Sequence, residues 1–304
     1  MDNSAIIKTQ ALSYYYSAQE KTLSEINLRV EQGSVYGFLG PNGSGKTTTL
    51  SLLLGLLESP HGSIEIFGEH LYANRIGILK KIGSLIESSS LYGHLTAKEN
   101  LEVYRAVYGA TKARVDEVLQ IVGLGDAGKK TVKKFSLGMK QRLSIALALL
   151  PTPELLVLDE PSNGLDPAGI IELRELIKRL NKEHGMTILI SSHLLGEVEK
   201  MVSHVGIILK GRMLFQGTLS ELHSFQQKGS RLFIRTSDNE RAYQLLQDQQ
   251  PLKTDGAVSV AFHDDHQIAT INRTLMQQGL DVYLLNPQKN DLEQLFIDLT
   301  SSQS

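Results

Sequence analysis

The eight residues Gly40-Pro41-Asn42-Gly43-Ser44-Gly45-Lys46-Thr47 constrain this chain more than any other stretch. They follow Val35-Tyr36-Gly37-Phe38-Leu39, which reads as a strand, and they precede Thr48 to Leu57, which reads as a helix. The glycines let successive backbone N–H groups turn inward toward a polyphosphate, and the helix that follows adds its positive end. Lys46 is then placed to reach the β- and γ-phosphates, and the Thr47 hydroxyl to ligate Mg2+. The bland alternative is a glycine turn with a surface lysine. Average residue frequencies make the bare pattern a chance event in only about one in a hundred chains of this length, and the flanking strand and helix lower that further.

A second apolar run, Leu155-Leu156-Val157-Leu158, lies between prolines and acids and reads as a strand buried on both faces, the habit of parallel sheets. It ends in Asp159-Glu160. A third, Thr187 to Ile190, runs into Ser191-Ser192-His193, and a fourth, Val205 to Leu209, into Lys210-Gly211. Strands separated by helical segments predict an α/β domain with a mostly parallel sheet, whose ligands gather beyond the carboxyl ends of the strands. Lys46, Asp159, Glu160 and His193 each follow such an end, so four polar residues from distant sequence are expected to meet. Asp159 suits Mg2+ through its water shell, and Glu160 suits orienting or deprotonating an attacking water; a helix-capping acid pair is the competing reading.

Phosphoryl transfer needs no covalent nucleophile, which agrees with a chain that contains no cysteine. Hydrolysis of ATP or GTP is the natural reaction. GTP-specific folds read the base with Asn-Lys-x-Asp, and the nearest match, Asn181-Lys182-Glu183-His184, lacks the aspartate, which favours ATP.

The chain has 304 residues, 41% hydrophobic, and a net charge of -2, so a well-buried core is expected and a basic excess for nucleic acid is missing. The absence of cysteine fits a reducing compartment. Met1 to Gln10 lacks the features of a secretory signal, and the strongly apolar stretch Ile145 to Leu150, stopped by Pro151, is far short of the roughly 20 residues of a membrane span. Between the glycine loop and Asp159 lies a mainly helical insert, about residues 88–150, with apolar residues at helical spacing in Leu95 to Tyr108 and Thr111 to Val122. From about residue 230 strand-like and helix-like segments alternate, and a small βαβ-type accessory domain, residues 230–304, is the simplest expectation.

The glycine loop, Phe135-Ser136-Leu137-Gly138-Met139-Lys140-Gln141-Arg142-Leu143, Leu155 to Glu160, Ser162-Asn163-Gly164-Leu165-Asp166 and Ser191-Ser192-His193 stand in the order and spacing of an ATP-binding cassette. Residues 1–218 thus resemble the nucleotide-binding subunits of ABC transporters, and most of all the ATPases of the bacitracin-resistance and lantibiotic-immunity group. The resemblance implies a P-loop NTPase cassette core with a helical subdomain and a small C-terminal α+β accessory domain. It implies ATP and Mg2+ as cofactors, with Gly40 to Thr48 around the phosphates, Thr47 and Asp159 at the metal, Glu160 and His193 in catalysis, and Asp166 in a loop that crosses a dimer. Ser136, Leu137, Gly138, Met139 and Lys140 would form the signature loop, which grips the γ-phosphate bound to a second subunit. Tyr16, or else Tyr15, would stack on adenine.

Two positions depart from the family pattern. Leu137 replaces the first signature glycine and Met139-Lys140 the end of that motif, while Ser136 and Gly138 are kept. Glu87 stands where most cassettes carry a glutamine in the loop joining the core to the helical insert; it is expected to reach Mg2+ or its water shell, the alternative being a solvated strand end. The resemblance implies an ATPase that works with transmembrane permease subunits at the cytoplasmic face of the membrane, with a peptide antibiotic or similar amphiphile as the expected cargo. A cassette serving a membrane sensor, and a soluble cassette of translation or repair, are the other readings it leaves open.

Overall fold

Every residue of β4 (Val35–Leu39) and of β8 (Leu155–Leu158) is buried, as continuous apolar runs between covering layers should be. The computed structural model describes residues 5–17, 20–86, 91–127, 130–254 and 256–288. Before β4 come β1 (Ala5–Ser17), β2 (Glu20–Ile26) and β3 (Arg29–Glu31); after it come α1 (Lys46–Leu53), β5 (His61–Ile66), β6 (Glu69–His70), α2 (Arg75–Leu79) and β7 (Ile82–Leu85). The helices α3 (Ala97–Tyr108), α4 (Lys112–Ile121) and α5 (Leu137–Leu149) lie between β7 and β8. Beyond β8 follow α6 (Pro167–His184), β9 (Thr187–Ser192), α7 (Leu195–Val198), β10 (His204–Leu209) and β11 (Arg212–Thr218). The chain continues through α8 (Leu219–Gly229), β12 (Arg231–Thr236), α9 (Asn239–Leu245), β13 (Leu252–Thr254), β14 (Ala257–Ala261), α10 (Asp265–Gln277) and β15 (Val282–Gln288).

Contacts divide the chain into two units, Met1–Leu219 and Ser220–Ser304. The first holds a six-stranded sheet in the order β11-β10-β4-β9-β8-β7, parallel except for the edge strand β11. It also holds a five-stranded antiparallel sheet, β2-β1-β5-β6 with β3 beside β1. The alternation of β1 is broken by register shifts between Leu12 and Tyr14 and onward to Ser17, which hides the strand from a period-two reading. Tyr36, Phe38, Ile7, Leu12, Leu50 and Ile64 share the main core with no more than 1% exposure each. Fully burying side chains of this size is worth about 1.5–3 kcal/mol apiece.

The helix after the glycine loop runs over Lys46–Leu53 instead of Thr48 to Leu57. It starts earlier because the loop backbone already turns at Gly45, and it stops earlier because Gly55 takes φ 62°, which ends an α-helix. In the insert, α3 opens with a capping box: Thr96 Oγ1 accepts from Glu99 N–H, and Glu99 Oε2 accepts from Thr96 N–H at 2.7 Å. Thr96 Oγ1 also donates to Glu99 Oε2 at 2.8 Å, and this bond together with the one from the Thr96 N–H holds the Glu99 carboxyl below its usual range. Thr111 caps α4 and Ser136 caps α5, so three helices start on hydroxyl residues.

The second unit contains a four-stranded sheet, β13-β14-β12-β15, antiparallel throughout. This corrects the βαβ expectation to an α+β arrangement. Leu232, Ile234, Val258 and Val260 on one sheet face pack with Ile271 and Leu275 of α10. The helix expected over Leu292 to Thr300 lies outside the described residues.

Candidate functional site

Strand register assembles the site. Leu39 of β4 pairs with Ser192 of β9, and Leu158 of β8 pairs with Ile190 of β9. The residues that follow, Gly40, Asp159 and His193, therefore emerge at one sheet edge, the carboxyl end expected for ligands. Gly40 N–H donates to Ser192 O at 3.2 Å, tying the loop's first residue to the third strand.

Two glycines of the loop have no substitute. A Cβ on Gly40 would stand 2.3 Å from Ile208 O, and Gly45 takes φ 108° as the residue capping α1 without a side-chain bond. That cap leaves the first N–H groups of α1 free for an anion. Lys46 is 5% exposed, and its Nζ donates to Gly40 O at 2.7 Å and Pro41 O at 3.2 Å. It also pairs with Glu160 Oε1 at 3.1 Å.

The acids are joined through hydroxyls. Thr47 Oγ1 donates to Asp159 Oδ2 at 2.7 Å, and Ser191 Oγ donates to Asp159 Oδ1. Glu160 N–H donates to Ser191 Oγ at 2.9 Å. Glu160 occupies the left-handed region at φ 47°, uncommon for a residue with a side chain, and its Oε2 meets His193 Nδ1 at 2.8 Å. One carboxylate thus contacts both Lys46 and His193.

A cavity of about 320 Å3 lies over this cluster, lined by Tyr16, Thr22, Asn42, Gly43, Gly45, Lys46, Thr47, Thr48 and Glu160. Tyr16 is 60% exposed, its ring meets Tyr14 edge-on, and its hydroxyl lies 3.4 Å from Thr48 Oγ1. Among the described residues, two buried oxygens of the cavity lining, Thr22 Oγ1 and Glu160 Oε1, and Ser44 Oγ in the same loop have no hydrogen-bond partner; the approach of Glu160 Oε1 to Lys46 lacks hydrogen-bond alignment. Buried polar atoms left in this way are costly, and a polyphosphate with its cation offers them partners. The donors at Thr47 and Asp159 are hard oxygens that fit Mg2+. Among the described residues no group of three or more His, Asp or Glu could hold a metal.

The structure brings Lys46, Thr47, Asp159, Glu160 and His193 together. It places Ser136, Leu137, Gly138, Met139 and Lys140 elsewhere in the first unit, at the start of α5. Ser136 Oγ accepts from Met139 N–H at 3.2 Å, and Leu137 and Lys140 line a separate cavity of about 390 Å3. Leu137 Cδ2 would meet a Cβ on Gly164 at 3.2 Å, so the first turn of α5 packs on the loop that leads to Asp166. Asp166 caps α6, accepting from Gly169 N–H at 2.9 Å. Glu87 lies outside the described residues. The sequence places Ser191 beside His193 but assigns it no role; its signal is a pair of serines that follow three buried aliphatic residues, Ile188 to Ile190.

A glycine loop before a helix, an acid pair after a buried strand and a histidine after the next define a nucleoside triphosphatase site. The comparisons with known proteins narrow that class. The ABC transporter family pattern matches residues 23–163. The chain is 45% identical over 302 residues to the bacitracin transport ATP-binding protein BcrA of Bacillus licheniformis, covering 97% of each. It is 44% identical over 211 residues to the lantibiotic transport ATP-binding protein SrtF of Streptococcus pyogenes, covering 69% of this chain and 90% of that one. Among solved structures, cbiO1 from Clostridium perfringens superposes with a TM-score of 0.67 at 30% identity, covering 72% of this chain and 91% of that one. A dimeric ATP-binding cassette, MJ0796 bound to ADP and Pi, superposes with a TM-score of 0.62 at 25% identity, covering 70% of this chain and 98% of that one.

The chain belongs to the ABC transporter family, as an ATP-binding and ATP-hydrolysing subunit. Such subunits dimerise and work with membrane permeases; among the described residues no helix here is long and apolar enough to cross a membrane.

Proposed function

We propose that this chain powers an exporter of a peptide antibiotic or similar amphiphile, acting as a dimer on separate permease subunits at the cytoplasmic face of the membrane. The observation that carries the reading is the convergence of Lys46, Asp159, Glu160 and His193 in a chain that matches a bacitracin transport ATPase along 97% of its length.

In this reading Lys46 and the free N–H groups at the start of α1 hold the β- and γ-phosphates, with the loop from Gly40 to Gly45 around them, and Tyr16 stacks on adenine. Thr47 and Asp159 would hold Mg2+, which when bound screens phosphate charge. Glu160 orients the attacking water and takes its proton as the bond to the γ-phosphorus forms and ADP leaves. The γ-phosphoryl oxygens carry the developing charge, and Lys46 and His193 stand where they can counter it. Ser136 and Gly138, at the positive end of α5, would complete the site of the second protomer, and Asp166 lies in the loop between protomers. Glu87 would act in the segment that faces the permease.

The test is survival. Cells making the chain with its permease should tolerate bacitracin at concentrations that kill cells carrying Glu160→Gln, with less cell-associated peptide. Equal survival contradicts export. Tolerance with no change in cell-associated peptide favours a signalling role instead.

A further inference from the structure

Ser191 Oγ is the junction between the two acids. It sits next to the end of β9 with no exposed surface, donates to Asp159 Oδ1, and accepts from the Glu160 backbone N–H at 2.9 Å. The three residues before it in that strand, Ile188 to Ile190, are aliphatic and equally buried. A hydroxyl in such a place is costly unless it finds partners, and both partners it finds belong to the acid pair.

We propose that Ser191 is a positioning residue that sets the orientation of both carboxylates. Its effect on Asp159 follows from the two oxygens of one group. With Oδ1 occupied by Ser191, Oδ2 is the oxygen turned to Thr47 Oγ1, 2.7 Å away. The terminal torsion of aspartate is broad, so without this bond the carboxylate is free to rotate off the Thr47 side. Its effect on Glu160 is on the backbone. A left-handed conformation at a residue with a side chain persists only where its surroundings fix it. Here two bonds do so: Glu160 N–H to Ser191 Oγ, and Asn163 N–H to Glu160 O at 3.0 Å. That conformation is what aims the Glu160 carboxylate at Lys46 and His193.

The inference rests on the assignment of Asp159 to the metal and Glu160 to the water, and its test keeps the two apart. Equilibrium binding of a fluorescent ATP analogue to the purified full-length chain is measured in EDTA and in Mg2+, together with kcat and KM for ATP. Ser191→Ala should bind within about twofold of the parent in EDTA but lose about tenfold of the affinity gained on adding Mg2+, the scale of one hydrogen bond to a charged group. Its kcat should fall while KM in excess Mg2+ moves much less. Ser191→Cys keeps a group at the γ position, somewhat larger than the hydroxyl, and loses the strong donor, so it should behave the same, and it decides the matter if the alanine variant does not fold. Ser192→Ala removes an equally buried hydroxyl whose bonds go to Leu194, and should leave the Mg2+ gain in place. A Mg2+ gain retained in both Ser191 variants but lost in Asp159→Asn overturns the proposal. A gain retained in Asp159→Asn as well removes the metal assignment itself.

Discussion

Lys46 Nζ lies 3.1 Å from Glu160 Oε1, with the lysine side chain 5% exposed and the glutamate 20%. The two Glu160 oxygens serve different partners, since the other meets His193. Lys46→Met keeps the stem of the side chain and removes the charge. It should weaken ATP binding by about 10- to 100-fold and cost about 1–3 kcal/mol of stability, because Glu160 and two loop carbonyls lose their cation. Titration with a fluorescent nucleotide and denaturant unfolding check both. A variant that binds ATP as the parent does removes Lys46 from the phosphate site.

Gly45→Ala tests the loop backbone. The position takes φ 108°, and a Cβ there would stand 2.5 Å from Leu23 Cδ2. We expect about 1–3 kcal/mol of lost stability together with weakened nucleotide binding. Gly196→Ala is the control, since nothing lies within 4 Å of a Cβ there and φ is not positive. It should leave the melting temperature unchanged or raise it slightly.

Tyr36 predicts an alkaline limit. Its hydroxyl donates to Gln216 Oε1 at 3.0 Å, and burial pushes its ionisation well above the ordinary value near 10. The folded chain keeps this proton where the unfolded chain has lost it, so the contribution is complete below about pH 10 and declines as pH rises beyond that. Tyr36→Phe should flatten the decline between about pH 10 and 11 in urea midpoints. Gln216 Oε1 still accepts from Arg29 N–H at 2.8 Å, so the substitution should cost no more than about 1 kcal/mol near neutral pH.

The core of the site was legible because its signals are local. The glycine loop is fixed by spacing, and Leu155 to Leu158 is a continuous apolar run whose burial on both faces requires a parallel sheet. What stayed hidden depends on distant pairing. β1 carries bulges that break its alternation, and Ala11 within it takes φ 47°. The strands β12, β14 and β15 show apolar residues at strand spacing, but spacing does not reveal strand direction, so alternation alone suggests βαβ where the sheet is antiparallel, as the α+β accessory domain implied by the resemblance requires. Lys46 and Thr47 belong to α1 by backbone geometry although their side chains serve the site. Ser191 shows its role only once β8 and β9 lie side by side, since nothing in an isolated Ile-Ser-Ser sequence says that Asp159 is its neighbour.

The most direct test of the account is ATP turnover and ATP binding by Glu160→Gln. The amide keeps the shape of the side chain but cannot take a proton from water. The account predicts that kcat falls by at least about 100-fold while ATP affinity stays equal to the parent or tightens as Lys46 is released. Hydrolysis at the parent rate would contradict it.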